Sequence, residues 1–138
     1  VPMILDVIDG LEEAHRLGVI HRDVKPSNCF CLPDGRVKIG DFGISKSLVK
    51  KSDLTNTGTF LGTRQYAGPE QIKGEEVDFR TDVYSVAATL YYLLTGRAPF
   101  ESKDPAATLA RIMTETTPSV RLHQPKLPVS NFCASRTR

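Results

Sequence analysis

The sequence is poor in the features that would place it in a membrane, in an oxidising exterior or on a nucleic acid. No apolar run approaches the roughly 20 residues of a membrane-spanning helix, and the first residues carry no charged signal-peptide head. Charge of one sign is scarce. The formal net charge is +2 over 138 residues, with no basic stripe interleaved with aromatics, so no nucleic-acid partner is expected. Cysteine is scarce as well: Cys29, Cys31 and Cys133 form an odd set with neither metal-ligand spacing nor a neighbouring histidine. Cys29 and Cys31 stand in an apolar run and are expected to be buried strand packing, which fits a reducing compartment. The expectation is a soluble, cytoplasmic chain without a membrane segment. At 40% hydrophobic, it can bury one modest core, which bounds it to one domain or part of one.

What is present begins with an amphipathic pattern. Over Val1 to Val19, Ile4, Ile8, Leu11 and Leu17, with Val7 and Ala14 beside them, fall on one face at helical spacing. Gly10 weakens this helix slightly and Gly18 is placed to end it. Cys29 to Leu32 and Val37 to Ile39 read as two short strands joined across Pro33-Asp34-Gly35. From Ser45 to Gly62 no period is sustained, and a loop of that length is functional or disordered. A short helix is expected near Gln71-Ile72. Thr81 is a candidate N-cap for a stronger helix, Asp82 to Leu94, that is apolar nearly all round and so reads as buried; Gly96 closes it. A further helix from Ser102 or Asp104 to about Met113 would turn Leu109, Ile112 and Met113 inward. Beyond Pro118 the chain reads as an irregular tail.

The chemistry concentrates in His21-Arg22-Asp23-Val24-Lys25-Pro26-Ser27-Asn28, a polar loop between apolar runs in which Pro26 bars a helix. The hairpin after it carries Asn28 at one end and Asp41 at the other, bringing two oxygen ligands to one edge, as a hard-cation site needs. Asp23 and Asn28 have the spacing of the protein-kinase catalytic loop. Asp41-Phe42-Gly43 and then Gly68-Pro69-Glu70 follow in the order of that family's metal-binding and Ala-Pro-Glu motifs. The chain resembles a protein kinase of the serine/threonine type, similar to bacterial kinases of the eukaryotic type.

The resemblance implies a role for each matching residue. Asp23 would accept the substrate hydroxyl proton or mainly orient that hydroxyl for in-line attack, with Lys25 directed at the transferred phosphoryl group. Asn28 and Asp41 would hold the magnesium ions that accompany ATP. Phe30 is similar to a strand residue beneath the adenine, with ordinary core packing as the alternative. His21 and Phe42 would pack together beneath the site. Asp82, in Asp82-Val83-Tyr84-Ser85, would hydrogen-bond the catalytic-loop backbone, although helix capping alone could account for it. Arg22 would receive a phosphate on the following loop, at Thr57 or Thr55 before Thr59. Thr63 would contact Asp23 and Lys25, and with Lys25 and Tyr66 it favours a protein substrate offering Ser or Thr.

Several departures limit what the resemblance carries. No Gly-x-Gly-x-x-Gly and no Val-Ala-x-Lys strand occurs, and Glu70 has no convincing arginine partner in the Ser130 to Arg138 tail. Gly68, Tyr84 and Ala87 replace the family's usual Ala, Trp and Gly. The implied fold is mainly α with a small β-hairpin: the C-terminal lobe of the α+β kinase fold over residues 1–118, its N-terminal lobe absent, then the tail over 119–138. Two other classes compete. A kinase-derived binding module would retain this lobe for a partner, against which the intact Asp23, Asn28 and Asp41 argue. A small-molecule phosphotransferase shares an acid-then-Asn loop, but the Thr-rich segment closing on Gly68-Pro69-Glu70 speaks against it.

Overall fold

A computed structural model describes residues 2–42 and 64–127. Helix α1 (Pro2–Arg16) leads into an extended loop, a 3-10 turn (Pro26–Asn28), and an antiparallel hairpin of β1 (Cys29–Cys31) and β2 (Val37–Ile39). Helices α2 (Pro69–Lys73), α3 (Phe79–Thr95) and α4 (Pro105–Thr114) follow, then a second 3-10 turn (Val120–Leu122). The described fold is mainly helical with one two-stranded sheet.

Helix α1 ends as its glycine dictates. Gly18 takes φ +74°, Val19 N–H reaches back to Ala14 C=O at 2.9 Å, and Gly18 N–H reaches His15 C=O at 3.0 Å. The helix therefore stops at Arg16 rather than running to Val19. Its buried seam is also narrower than the periodicity implies. Ile4, Val7, Leu11 and Ala14 are covered, whereas Ile8 is exposed and Leu17, beyond the last turn, is 72% exposed. The hairpin and α3 cover only that one seam.

Two contacts fix the hairpin on α1. The Asp6 carboxylate accepts the Val37 N–H at 2.8 Å. Gly10 lies where β2 comes closest, since a Cβ there would stand 3.3 Å from Ile39 Cγ2. The glycine that costs helix propensity thus admits the sheet. Val7, Leu11, Val24 and Val37 form the core of this corner, with Cys29, Ile39 and Val86 packed against it. The expectation of buried cysteines fails for Cys31, which is exposed, while Cys29 is half-buried. β1 has a single partner strand, so its outer residues face solvent; Cys133 lies outside the described residues.

Helix α3 starts earlier than expected. Asp78, not Thr81, is its N-cap, with the Asp78 carboxylate accepting the Arg80 N–H at 2.8 Å, and Gly96 ends it at φ +74°. Nor is it buried all round. Its covered side carries Thr81, Asp82, Ser85, Ala88, Thr89 and Tyr91, whereas Val83 is 59% exposed and Leu93 is exposed too. On that side Asp82 meets loop backbone, the Thr81 hydroxyl meets Glu70 and the Ser85 hydroxyl turns back on Thr81 C=O, so polar residues lie inward. In α4, capped by Asp104, Thr108 and Ile112 are buried while Met113 is exposed, contrary to its expected inward position. After Pro118 the chain is not wholly irregular: the Val120–Leu122 turn is described, and His123 meets the Tyr91 ring edge-on at 6.4 Å. Residues 43–63 and 128–138, with the expectations placed on Gly43, Thr55, Thr57, Thr59, Gly62, Thr63 and the Ser130–Arg138 tail, lie outside the described residues.

Candidate active site

The loop from His21 to Lys25 is held almost entirely through its backbone. Asp82 is fully buried, and its carboxylate accepts from His21 N–H through Oδ2 and from Arg22 N–H through Oδ1, both at 2.8 Å. The Nε2 of His15 lies 2.8 Å from the same Oδ2, a third donor that compensates the burial of the charge. His21, also fully buried, uses both ring nitrogens. Nε2 donates to Gly40 C=O at 2.9 Å, and Nδ1 accepts Asp23 N–H at 3.2 Å, which fixes the tautomer. Its ring stacks on Phe42 with centroids 4.4 Å apart. One imidazole thus joins the loop bearing Asp23 to the residue before Asp41.

On this frame stand the candidate site residues. Lys25 Nζ lies 3.0 Å from Asp23 Oδ2, and both side chains are mostly buried. Asn28 is buried and donates through Nδ2 to Asp23 C=O at 2.8 Å, with a longer approach of 3.4 Å to Asp23 Oδ2. Gly40 N–H donates to Asn28 C=O at 3.0 Å, so the hairpin closes with Asn28 and the strand leading to Asp41 at one end. Arg22 and Asp41 have φ of +67° and +55°, the two non-glycine residues in the left-handed region among those described. Such strain persists only where surrounding contacts over-determine the backbone, and it clusters at functional sites.

The donor set suits magnesium accompanying a phosphate ligand. The amide nitrogen of Asn28 is committed to Asp23, leaving Oδ1 as the atom to offer, and Asp41 is exposed beyond the hairpin's end. One carboxylate and one amide oxygen are few for a cage of protein ligands alone, and no cluster of three His, Cys, Asp or Glu occurs among the described residues. Magnesium commonly takes one or two protein oxygens and completes its octahedron with phosphates and water, so the pair fits.

Other expected residues fall as follows. Phe30 is 47% exposed, which removes the core alternative; its ring covers Gly40, where a Cβ would come within 2.9 Å of Cε2. Two-stranded pairing leaves that face of β1 open. The carboxylate of Glu70 accepts the Thr81 hydroxyl, and it fills the space a side chain at residue 68 would need. Burial, with Glu70 nearby, raises the Tyr84 phenol above its usual range. Burial chiefly, then Tyr92, pushes Tyr66 up to about 12. Burial, with Cys31 beside it, raises the Cys29 thiol.

Two residues of the site escape sequence reasoning. His15 sits in the last turn of α1 with no pattern to distinguish it from a solvated histidine. Gln71 donates through Nε2 to Arg22 C=O at 2.9 Å and accepts Gly68 N–H at 3.1 Å. Its position two after Pro69, in the first turn of α2, is the only local signal.

Comparison with known proteins shows the family. A family model described as the protein kinase domain matches residues 2–135. A probable serine/threonine-protein kinase of Streptomyces coelicolor is 39% identical over 126 residues, covering 91% of this chain and 19% of that protein. The serine/threonine-protein kinase PknL of Mycobacterium tuberculosis is 46% identical over 110 residues, covering 80% of this chain and 27% of that protein. PknB of Mycolicibacterium smegmatis is 39% identical over 130 residues, 93% of this chain and 21% of that protein. The chain therefore spans only a minor part of the length of these relatives.

Proposed function

Because this chain belongs to the protein kinase family, we propose that it is the C-terminal lobe of a serine/threonine protein kinase, transferring the γ-phosphoryl group of ATP to protein hydroxyls. The observation that carries this reading is the Asp23 carboxylate, held between the Lys25 ammonium at 3.0 Å and the Asn28 amide, on a loop whose backbone is pinned by Asp82. Asp23 orients the acceptor hydroxyl for in-line attack and takes its proton. Lys25 sets a positive charge beside the transferred group, where charge is spread over the phosphoryl oxygens. Asn28 and Asp41 hold magnesium. Bound there with ATP, magnesium would supply positive charge to offset the charge developing on the phosphates. Phe30, exposed over Gly40, offers an apolar surface to the adenine.

Lys25, Thr63 and Tyr66 favour Ser or Thr as acceptor. Arg22 carries a buried Nε with no hydrogen-bond partner among the described residues, which supports a role in receiving a phosphate on Thr55 or Thr57. Use of ATP supports a cytoplasmic location.

The test uses the intact protein with γ-labelled ATP and magnesium. Label is expected on serine and threonine of an acceptor protein, and Asp23→Asn is expected to reduce its transfer by at least about 100-fold. Chelating magnesium should abolish transfer. Label on an acceptor that persists undiminished in Asp23→Asn would overturn the assignment. Exposed Leu5, Phe79 and Val83 favour a second reading, a partner-binding module; an intact protein that binds a partner yet transfers no phosphate would establish it.

A further inference from the structure

Arg22 is the strained residue immediately before Asp23, and both of its peptide groups are held by side chains from elsewhere in the fold. Its N–H donates to Asp82 of α3, and its C=O accepts from Gln71 of α2 at 2.9 Å. That carbonyl belongs to the same peptide plane as the Asp23 N–H, which donates to His21 at 3.2 Å. Rotating this plane would swing the Asp23 Cα and its carboxylate. Gln71 holds the oxygen end and His21 the hydrogen end.

The other half of the Gln71 amide has a different duty. Its Oε1 accepts the Gly68 N–H at 3.1 Å, tying down the segment Tyr66-Ala67-Gly68 as it enters α2. The two partners fix the amide's orientation, since a backbone carbonyl only accepts and a backbone N–H only donates. One side chain therefore spans the strand of chain that follows Thr63 and the loop that carries Asp23.

We propose that Gln71 is a positioning residue that couples the acceptor-side segment ending at Gly68 to the orientation of Asp23. The proposal rests on the kinase reading and extends it. Two substitutions divide the two bonds. Gln71→Glu keeps an acceptor for Gly68 but sets carboxylate oxygen against the Arg22 carbonyl. Gln71→Lys keeps a donor for Arg22 but offers Gly68 nothing.

The experiment compares the intact wild-type protein with these variants, using ATP, magnesium and myelin basic protein as acceptor, with melting temperatures measured alongside. Gln71→Glu is expected to lower kcat by about tenfold or more, with the KM for ATP unchanged within about twofold. Gln71→Lys is expected to retain kcat within about threefold while raising the KM for the acceptor protein. Hydrogen exchange across residues 21–28 should quicken in Gln71→Glu and not in Gln71→Lys. Equal effects of the two variants, or none, overturn the proposal, as does a loss of activity that merely follows a fall in melting temperature. Should Gln71→Glu fail to fold, Gln71→Lys decides alone: any result other than retained kcat with raised acceptor KM overturns it. An inactive wild-type protein would instead refute the kinase reading.

Discussion

Asp82 shows how one side chain can place a loop without touching a substrate. Its buried carboxylate takes two backbone N–H groups from the loop and lies 2.8 Å from His15 Nε2. Asp82→Asn keeps the shape but turns one acceptor atom into a donor facing a donor. It should cost about 1–3 kcal/mol in stability, read from urea unfolding, and lower transfer in parallel. Tyr66 makes a different claim. Its phenol is held up to about 12 against an ordinary value of 10, chiefly by burial. Between those pH values the unfolded chain has lost a proton that the folded chain keeps, so stability falls as pH rises through this window and is fully present below it. Tyr66→Phe should flatten that alkaline decline when urea midpoints at either end of the window are compared. At this scale much of the candidate site was legible, because Asp23, Lys25, Asn28 and Asp41 are polar residues at telling spacings. Gln71 and His15 were not: each works through a backbone atom or a carboxylate far along the chain, and no spacing records that.

Among the elements, helix α1 separates pattern from packing. Leu11 and Leu5 look equivalent in an apolar tally, yet only Leu11 lies in the seam against the hairpin. Leu11→Ala should cost about 2–5 kcal/mol and Leu5→Ala within about 0.5 kcal/mol, measured as shifts in the unfolding midpoint of the intact protein. Helix α3 carries a matching test at its start. Removing the Asp78 cap with Asp78→Ala should cost about 1 kcal/mol, whereas the Thr81 hydroxyl donates to Glu70 and caps nothing. Periodicity revealed where the helices lie. It did not reveal that α3 turns Thr81, Asp82 and Ser85 inward, because each is covered through a hydrogen bond rather than apolar packing. Hydrophobic pattern alone assigns such a stripe to solvent.

For the molecule as a whole, the described residues bring together Asp23, Lys25 and Asn28 beside the hairpin end that leads to Asp41, while the 138-residue sequence holds no glycine-rich loop and no Val-Ala-x-Lys strand. Phosphoryl transfer depends on positioning and electrostatic stabilisation, so the 138-residue chain on its own should transfer no phosphate. Detecting magnesium-dependent transfer by the chain alone, lost in Asp23→Asn, would refute this. The mainly helical fold with one hairpin was legible from the turn at Pro33-Asp34-Gly35 and from the helical periods. The pinning of that hairpin by Asp6 and Gly10 was not, since both read as ordinary members of α1. That pinning has a practical outcome. With three residues in each strand, the tip around Asp34 stands about 10 Å from the end that bears Asn28 and Asp41. A fluorophore attached at Asp34 would ride on the same hairpin as Asn28 and Asp41 yet stay clear of both, so the turn is a ready station for an optical label.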